Sequence, residues 1–242
     1  IANATGIMTI NDFRSEDVSK GGQGAPLVPI GDRHLFAEFP ICLNIGGIAN
    51  VSYEMNGRRI AYDICMANQL LNYLANKLGY DYDNNGQFAK QGKVDKELFD
   101  ILNDNAYYKQ DAPKSLGREF FENVQHKIID ESSLSINDLL ATATEHIAHQ
   151  IVKSTDNLEK SKMLVTGGGA KNNFLIERIC SLSKHEIVIP DVMITDFKEA
   201  LIFAFLGVLK MEGKINVLSS VTGASSDSSS GKTYQVELKV ES

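Results

Sequence analysis

Two glycine-rich turns, each directly after a short apolar run, constrain the fold of this chain more than any other feature of its sequence. Residues 41–45 lead into Gly46-Gly47, and residues 162–166 lead into Gly167-Gly168-Gly169. Short apolar runs bounded by glycine are typical of buried strands. Glycine at such turns lets backbone N–H groups approach a phosphate closely, because no Cβ stands in the way. We therefore expect strands that end at a site for a phosphorylated ligand.

The segments around these turns predict an α/β fold. Residues 49–54 and 59–64 form two further strands, with the hairpin signal Asn56-Gly57 between them. A helix follows over residues 70–78, and the second glycine turn leads into another helix. The order β-β-β-α and then β-α-β-α predicts a mixed sheet flanked by helices.

The remaining segments are mainly helical or irregular. A long helix is predicted over residues 138–155, with Asn137 as its N-cap. The serine-rich segment 225–231 is predicted to be flexible and to precede an extended segment at residues 234–238. Three phenylalanines of a late apolar helix are expected in the core, namely Phe197, Phe203 and Phe205.

Composition excludes several classes of function. The 242 residues carry a formal net charge of -7, which disfavours nucleic acid and anionic membranes as partners. No stretch approaches the ~20 apolar residues that cross a bilayer. Three cysteines lie far apart in apolar runs, which predicts buried, reduced thiols and a cytoplasmic protein. These cysteines are Cys42, Cys65 and Cys180.

The glycine turns favour one class of nucleotide site over the others. Neither turn matches the Walker A pattern or the G-x-G-x-x-G of a βαβ unit, so P-loop and Rossmann folds are excluded. A hairpin turn for one phosphate and a strand–helix turn for the nucleoside is the arrangement expected of an actin-like ATPase. The residues predicted to bind the nucleotide are Asn44, Gly46, Gly47, Asn50, Gly167, Gly168, Gly169 and Asn172.

Longer motifs give a more specific assignment. The nine residues Gly21-Gly22-Gln23-Gly24-Ala25-Pro26-Leu27-Val28-Pro29 follow Asp12-Phe13-Arg14 and Asp17. The further motifs are residues 43–50, Pro113-Lys114-Ser115, Gly117-Arg118-Glu119, Thr142-Ala143-Thr144-Glu145, residues 167–172, and Asp196 with Glu199-Ala200. In this order, and over nearly the whole chain, they resemble the anhydro-N-acetylmuramic acid kinase family of the actin, hexokinase and Hsp70 (ASKHA) superfamily.

The resemblance implies a fold of two RNase H-like domains around a cleft. Residues 1–40 would be the remnant of the N-terminal domain with a sugar-site loop. Residues 41–242 would be the C-terminal actin-like ATPase domain, with a helical insertion over residues 80–160. The resemblance also implies a cytoplasmic homodimer that uses ATP and Mg²⁺ on a small-molecule sugar in peptidoglycan recycling.

The implied reaction assigns roles to individual residues. Water opens the 1,6-anhydro ring while ATP phosphorylates O6, which requires a base for the water. By position in the family pattern, Asp63 is this base and Glu199 is a second acidic residue of the site. Arg118 is a candidate for pairing with the lactyl carboxylate of the sugar. The other predicted sugar-binding residues are Gly22, Gln23 and Gly24.

Each of these residues also has a structural explanation. Asp63 would cap the helix after its strand, and Glu199 would stabilise the first turn of its own helix. Arg118 would form a surface ion pair with Glu119 or another acid. Three charged residues precede the sugar loop, namely Asp12, Arg14 and Asp17. They would either shape the sugar side of the cleft or form a local ion-pair cluster.

No metal site is predicted from side chains alone. His146 and His149 lie three residues apart on the long predicted helix, which is compatible with metal ligation. A structural site needs further ligands, and none is evident at a suitable spacing. A structural or surface role for the two histidines is therefore favoured.

The chain departs from the family pattern in two places. The turn after the third strand reads Asp63-Ile64-Cys65-Met66-Ala67-Asn68, where the family has an Asp-Thr-Gly-Pro type of turn. The preference for the anhydro sugar is therefore open. The family's first phosphate loop is expected upstream of Gly21 and is absent from these 242 residues. Because phosphoryl transfer depends on positioning and charge stabilisation, we expect the chain alone to be inactive.

Two other hypotheses remain open at this point. The chain could be a catalytically inactive actin-like module that binds a muropeptide sugar or a nucleotide. It could also be another sugar kinase of the same superfamily, although the nine-residue motif at residues 21–29 argues against that.

Overall fold

A computed structural model describes residues 1–235. The strands are β1 (Thr9–Asn11), β2 (Ile41–Ile45), β3 (Ile48–Met55), β4 (Arg58–Met66), β5 (Lys162–Thr166), β6 (Glu186–Val188) and β7 (Lys232–Tyr234). The helices are α1 (Ala2–Thr5), α2 (Ser15–Ser19), α3 (Pro29–Leu35), α4 (Asn68–Asn76), α5 (Gln87–Gln91), α6 (Lys96–Asn103), α7 (Arg118–Phe120), α8 (His126–Asp130), α9 (Ile136–Thr155), α10 (Asn173–Leu182), α11 (Val192–Met211) and α12 (Ser219–Thr222). Short 3-10 turns lie at Asn84–Gly86, Ala106–Lys109 and Gly168–Lys171, and a π turn lies at Phe121–Gln125.

The main sheet has five strands in the order β4-β3-β2-β5-β6. Strands β2 and β3 are antiparallel, whereas β5 runs parallel to both β2 and β6. The turn between β3 and β4 is Asn56-Gly57, and both residues have positive φ, as a two-residue hairpin of this type requires. The predicted α/β class with a mixed, helix-flanked sheet is confirmed.

The central strands β2 and β5 are buried on both faces of the sheet. In β2 and β5 most residues are inaccessible to solvent, which explains why these strands are continuous apolar runs rather than alternating ones. The core around them includes Leu43, Ile45, Met66, Leu70, Leu74, Leu140, Ile147, Ile151, Met163 and Val165.

The long helix α9 differs slightly from its prediction. Its N-cap is Ser135, whose hydroxyl accepts a hydrogen bond from Asp138 N–H, so the prediction of Asn137 as the cap is wrong. Asn137 lies inside the first turn instead. Within residues 1–235, no helix is both long enough and apolar enough to cross a membrane.

Contacts divide the chain into two compact units. The first comprises residues 1–36, residues 57–59 and the segment that begins at Glu199, and the second comprises residues 37–56 and 60–198. The sequence placed the segment from Glu199 onward with residues 41–198. In the structure this segment belongs with residues 1–36, because β7 pairs with β1. Such pairing joins strands more than two hundred residues apart, which a linear division at residue 40 cannot represent.

Three further predictions about individual residues need correction. Cys42 and Cys65 are buried, but Cys180 is exposed on α10. Phe197 is 56% exposed and therefore outside the core. The segment 225–231 is ordered by packing rather than flexible, since Ser228 and Ser230 are buried and hydrogen-bonded. Of the predicted extended segment 234–238, residues 236–238 lie outside the described part of the chain.

Candidate active site

The two glycine turns meet at one edge of the main sheet. Because β2 and β5 are parallel neighbours, with Asn44 opposite Thr166, both strands end at the same edge. The turn at Gly167 packs directly on the end of β2, so that a Cβ there would lie 2.7 Å from Asn44 Oδ1. A residue with a side chain would also be strained here, because the φ of Gly167 is +86°. Glycine at this position is therefore required for the turn to form.

Helix α4 begins against the first glycine turn. The backbone N–H of Ala67 donates to Gly47 O at 2.8 Å, and that of Asn68 donates to Gly46 O at 3.1 Å. The Asn68 side chain also donates to Ile45 O at 3.3 Å. The apolar residues Ile64, Cys65 and Met66 before this helix are buried, and they extend β4 into the core.

The outer faces of three glycines at this edge are open. A Cβ at Gly46 or Gly168 would meet no atom closer than 3.5 Å, and one at Gly47 none closer than 3.9 Å, among the residues described. Gly168 also begins a 3-10 turn, so its N–H has no acceptor within that turn. The N–H groups of Gly47 and Gly168 can therefore be approached by a phosphate or nucleoside, whereas that of Gly46 already donates to Ile48 O at 3.2 Å. Gly169 is different, because its Cβ would clash with Ile45 Cγ2 at 2.2 Å.

The predicted asparagines occupy two kinds of position. Asn44 and Asn50 are half-buried and face each other across β2 and β3, beside Thr166 of β5. They form a polar row next to the glycine turns. Asn172 instead caps α10, because its Oδ1 accepts from Leu175 N–H at 3.1 Å. Its carboxamide oxygen is thus already engaged within the fold.

An ion pair that was not predicted from the sequence lies next to the second glycine turn. Lys171 and Asp196 lie 2.5 Å apart, and Gly167 N–H donates to Thr195 O at 3.4 Å. The start of α11 therefore holds the turn from the side opposite to β2. Lys171 and Asp196 each lie within a motif that carries the family resemblance, but the sequence does not indicate that the two residues pair.

Asp63 lies near the end of β4 and is half-buried. One carboxylate oxygen accepts a hydrogen bond from Leu116 N–H at 2.9 Å. The backbone of Asp63 is tied to the same loop, since its N–H donates to Lys114 O at 3.2 Å and its carbonyl accepts from the Tyr107 hydroxyl. The motif Pro113-Lys114-Ser115 thus positions this aspartate, a role that the sequence did not reveal.

The environment of Asp63 suits a general base. Burial raises the pKa of the Asp63 carboxyl above its usual range, and the hydrogen bond from Leu116 N–H offsets part of that rise. The hydrogen bond occupies one oxygen, Oδ2. A base with a raised pKa accepts a proton more readily once it is ionised.

Arg118 has a different setting from Asp63. Its guanidinium is 82% exposed and pairs with Glu122 at 2.7 Å, one helical turn along the chain. The partner is therefore Glu122 rather than Glu119. Exposed pairs of this kind add little stability, so Arg118 can exchange this carboxylate for another at small cost.

The predicted sugar loop lies in the first unit and is organised by a buried carboxylate. Asp17 is fully buried, and it accepts from Gly24 N–H at 2.9 Å and from the Thr222 hydroxyl at 2.6 Å. The N–H of Gln23 donates to Thr222 O, and that of Gly22 donates to Asp17 O, each at 2.9 Å. All three loop amides are thus used internally. The exposed Gln23 side chain remains available for a ligand.

Glu199 also lies in the first unit, on α11. It is exposed and follows seven helical residues, so its expected position in the first turn is wrong. The helix begins at Val192 because Asp191 caps it, accepting from Met193 N–H at 2.8 Å. The predicted site residues are thus divided between the units, with Asp63 in the second.

The histidines of α9 are not grouped as metal ligands. His146 is fully buried and contacts Asn103, Tyr108 and Gln125, and burial lowers its pKa to about 3. His149 packs edge-on against the ring of Phe99. Within residues 1–235, no three side chains of His, Cys, Asp and Glu form a cluster that could hold a metal.

Solved structures match only part of this fold. Component A of (R)-2-hydroxyglutaryl-CoA dehydratase from Acidaminococcus fermentans is 16% identical, with a TM-score of 0.45, and the match covers 72% of this chain and 63% of that one. The activator of 2-hydroxyisocaproyl-CoA dehydratase from Clostridium difficile, solved with bound ADPNP, is 18% identical with a TM-score of 0.42, covering 68% and 57%. At these scores the similarity is partial and identifies no function.

Sequence relatives give a closer match. A protein of Actinobacillus pleuropneumoniae serotype 7 named anhydro-N-acetylmuramic acid kinase is 37% identical over 247 residues, which cover 97% of this chain and 67% of the relative. A protein of the same name from Vibrio cholerae is 38% identical, with 97% and 66% covered. This chain thus spans about two thirds of their length. The model of the family described as anhydro-N-acetylmuramic acid kinase matches residues 1–236. The chain therefore belongs to the anhydro-N-acetylmuramic acid kinase family.

Proposed function

We propose that this chain supplies the base and the nucleotide turns of an ATP-dependent kinase of 1,6-anhydro-N-acetylmuramic acid. The observation that carries the proposal is Asp63, a half-buried carboxylate with a raised pKa, held by Leu116 N–H in β4, three residues before that strand ends. It lies in the same compact unit as the glycine turns whose outer faces are open. Membership of the family supplies the substrate class.

In the proposed reaction Asp63 removes a proton from a water molecule as its oxygen attacks C1 of the sugar. The C1–O6 bond of the anhydro ring breaks, and O6 forms a bond to the γ-phosphorus of ATP while ADP leaves. The products are N-acetylmuramic acid 6-phosphate and ADP, and the proton on Asp63 passes to solvent. ATP bound at this edge would supply the phosphoryl group, with Mg²⁺ carried by its phosphates.

The residues at the sheet edge fit a nucleotide. Gly46, Gly47 and Gly168 leave room for phosphate oxygens to approach the backbone, and Asn44 and Asn50 add polar groups beside them. Glu199 is proposed as a second acid, and the Gln23 side chain and Arg118 as groups that bind the sugar. An ion pair as exposed as that of Arg118 can open when a carboxylate ligand arrives.

The test is Asp63→Asn in the product of the complete gene. A general base contributes about 10² to 10⁴ in rate, so we expect sugar phosphorylation to fall at least about a hundredfold with ATP binding retained. Asp81→Asn, which removes the same charge from an exposed position, is the matched control. A variant at residue 63 that kept wild-type turnover would exclude this aspartate as the base.

The pH profile offers a second test of the same role. Asp63 must be ionised to act, so activity is expected to fall as the pH drops through its raised pKa. The acid limb of kcat/KM should therefore lie above the pH at which an ordinary aspartate titrates. Leu116→Pro, which removes the N–H donor, should move that limb further upward.

We also propose that the 242 residues alone do not phosphorylate the sugar, and that the active kinase is a cytoplasmic homodimer. Relatives are about half as long again as this chain, since the match covers 67% of their length. Exposed apolar residues of α11, among them Met193, Phe197 and Leu201, offer a surface for a second copy. Sugar phosphorylation by the 242 residues alone would contradict the first point. A monomeric mass of the active kinase in light scattering would contradict the second.

A further inference from the structure

A cavity in the second unit lies apart from the glycine turns. Its volume is about 230 Å³, and it opens between the edge strand β4 and the C-terminal half of α9. Tyr62 of β4 lines one wall, Gln150 and Lys153 of α9 line another, and the loop that carries Asp111 and Lys114 closes it. The neighbouring Asp63 is absent from this lining, because successive residues of a strand point to opposite faces.

The charges in the cavity are unbalanced. Lys114 and Lys153 contribute two ammonium groups, and Asp111 contributes one carboxylate. The Lys114 ammonium lies 4.8 Å from the ring centre of Tyr107 and 5.3 Å from that of Tyr62, and it donates to Tyr107 O at 3.2 Å. An ammonium group has three donors, so donors remain for a ligand. Within residues 1–235, neither lysine forms an ion pair with a carboxylate.

Lys114 lies close to charges of both signs. Burial is the main cause that lowers the pKa of Lys114, Asp111 raises this pKa, and the charge of Lys153 lowers it by less than Asp111 raises it. A second cation is therefore close enough to repel the first. An anion between the two ammonium groups would relieve this repulsion.

The polar wall of the cavity is fixed from behind. Gln150 donates to Asn103 Oδ1 at 2.6 Å, and the same oxygen lies 2.9 Å from His146 Nδ1. On its other side, His146 Nε2 is 3.3 Å from the Tyr108 hydroxyl. Tyr108 and Gln150 both line the cavity, so their positions are set by a buried network rather than by the surface.

We infer that this cavity is a binding site for a small oxyanion of the phosphate class, separate from the proposed nucleotide turns. Its volume is below the 300–1,000 Å³ typical of drug-sized ligands, which limits the occupant to an inorganic ion or the phosphate end of a small sugar phosphate. Lys114 and Lys153 pair with the charge, and Asp111 limits the total charge the site accepts. The inference does not rest on the role of Asp63.

The test is calorimetric titration of the chain with inorganic phosphate in the presence of saturating ADPNP. We expect phosphate to bind under these conditions and Lys153→Gln to weaken it about tenfold, the loss of one charge-assisted hydrogen bond. Lys160→Gln removes an equal charge from an exposed position outside the cavity and should leave affinity unchanged. Because Lys153 is exposed, its replacement should also leave the urea unfolding midpoint unchanged.

Three results would overturn the inference. They are no binding of phosphate, displacement of phosphate by ADPNP, and an equal loss of phosphate affinity in the two lysine variants. A parallel titration with glucose 6-phosphate separates the two sources of the ligand. If glucose 6-phosphate binds more tightly than inorganic phosphate, the ligand is a sugar phosphate. If it binds more weakly, the ligand is the free ion. Both results agree with an oxyanion site in this cavity.

Discussion

The glycine turns of the second unit and the glycine loop of the first unit are held in different ways. The turns at Gly46-Gly47 and Gly167-Gly168-Gly169 are fixed by backbone register, because each follows a strand of one sheet. The loop at residues 21–24 follows no long strand. It is held by the buried Asp17 carboxylate, which also accepts from the distant Thr222 hydroxyl, and by backbone hydrogen bonds of Gly22 and Gln23.

This difference determines where each segment is vulnerable. A sheet distributes the support of a turn over many hydrogen bonds, so loss of one side chain there is tolerated. The loop at residues 21–24 depends in part on one carboxylate, that of Asp17, which is inaccessible to solvent. A buried donor left without its acceptor costs more than the net value of the bond it loses. We therefore expect the largest effects in the loop.

The largest expected effect is that of Asp17→Ala. This change leaves Gly24 N–H and the Thr222 hydroxyl without their acceptor, so the free energy of unfolding should fall by about 3 kcal/mol. Urea unfolding followed by circular dichroism measures it. Glu16→Gln alters only the partly exposed pair with Lys20 and should change stability by less than about 0.5 kcal/mol. Equal losses in the two variants would show that the carboxylate does not hold the loop.

The next effect concerns Gly22 in the same loop. A Cβ at this residue would lie 2.1 Å from Asp17 Oδ2 and 2.9 Å from Ala224 Cβ, so Gly22→Ala should destabilise the chain by about 2 kcal/mol. The clash partner can be removed in the same experiment. In the Asp17→Ala background Gly22→Ala should cost clearly less, and a double-mutant cycle reports this coupling. Strict additivity of the two changes would argue against the contact.

A smaller effect is expected where a sheet turn packs against its neighbour. Gly169→Ala would place a Cβ 2.2 Å from Ile45 Cγ2, and we expect a loss of about 1.5 kcal/mol because this methyl group can move only slightly. The matched control is Gly168→Ala, whose Cβ meets nothing closer than 3.5 Å. Similar unfolding midpoints for the two variants would contradict the packing of Gly169 on β2.

The same comparison explains how much of the fold could be predicted. The strands β2, β3 and β4 and their Asn56-Gly57 turn follow from local patterns, because hairpin chemistry and alternation act over a few residues. The pairing of β1 with β7 and the bond from Thr222 to Asp17 do not follow. Thr222 and Asp17 are 205 residues apart in the sequence. The composition of the segments around them does not indicate that they pair.

The candidate site was predictable in the same uneven way. The glycine turns were visible because each follows an apolar run that reads as a strand, and the structure brings them to one edge. The anchoring of Asp63 by Leu116 N–H was not visible, since a backbone donor leaves no mark in the residue type. Phe197 was misplaced because apolar periodicity on α11 does not show which face is covered.

The smallest expected effect on stability, and the sharpest test of the comparison, is at Gly47. A Cβ there meets no described atom within 3.9 Å, so Gly47→Ala should change the free energy of unfolding by less than about 0.5 kcal/mol. If ATP approaches this turn, however, the added methyl group occupies the space of a phosphate oxygen, and the Kd for ATP should rise about tenfold. Gly207→Ala, in the interior of α11 with open space around it, controls for a general effect on affinity. A Gly47 variant that bound ATP as the wild type does would mean that the open glycines serve the fold alone, and the nucleotide turns would have to be sought elsewhere in the chain.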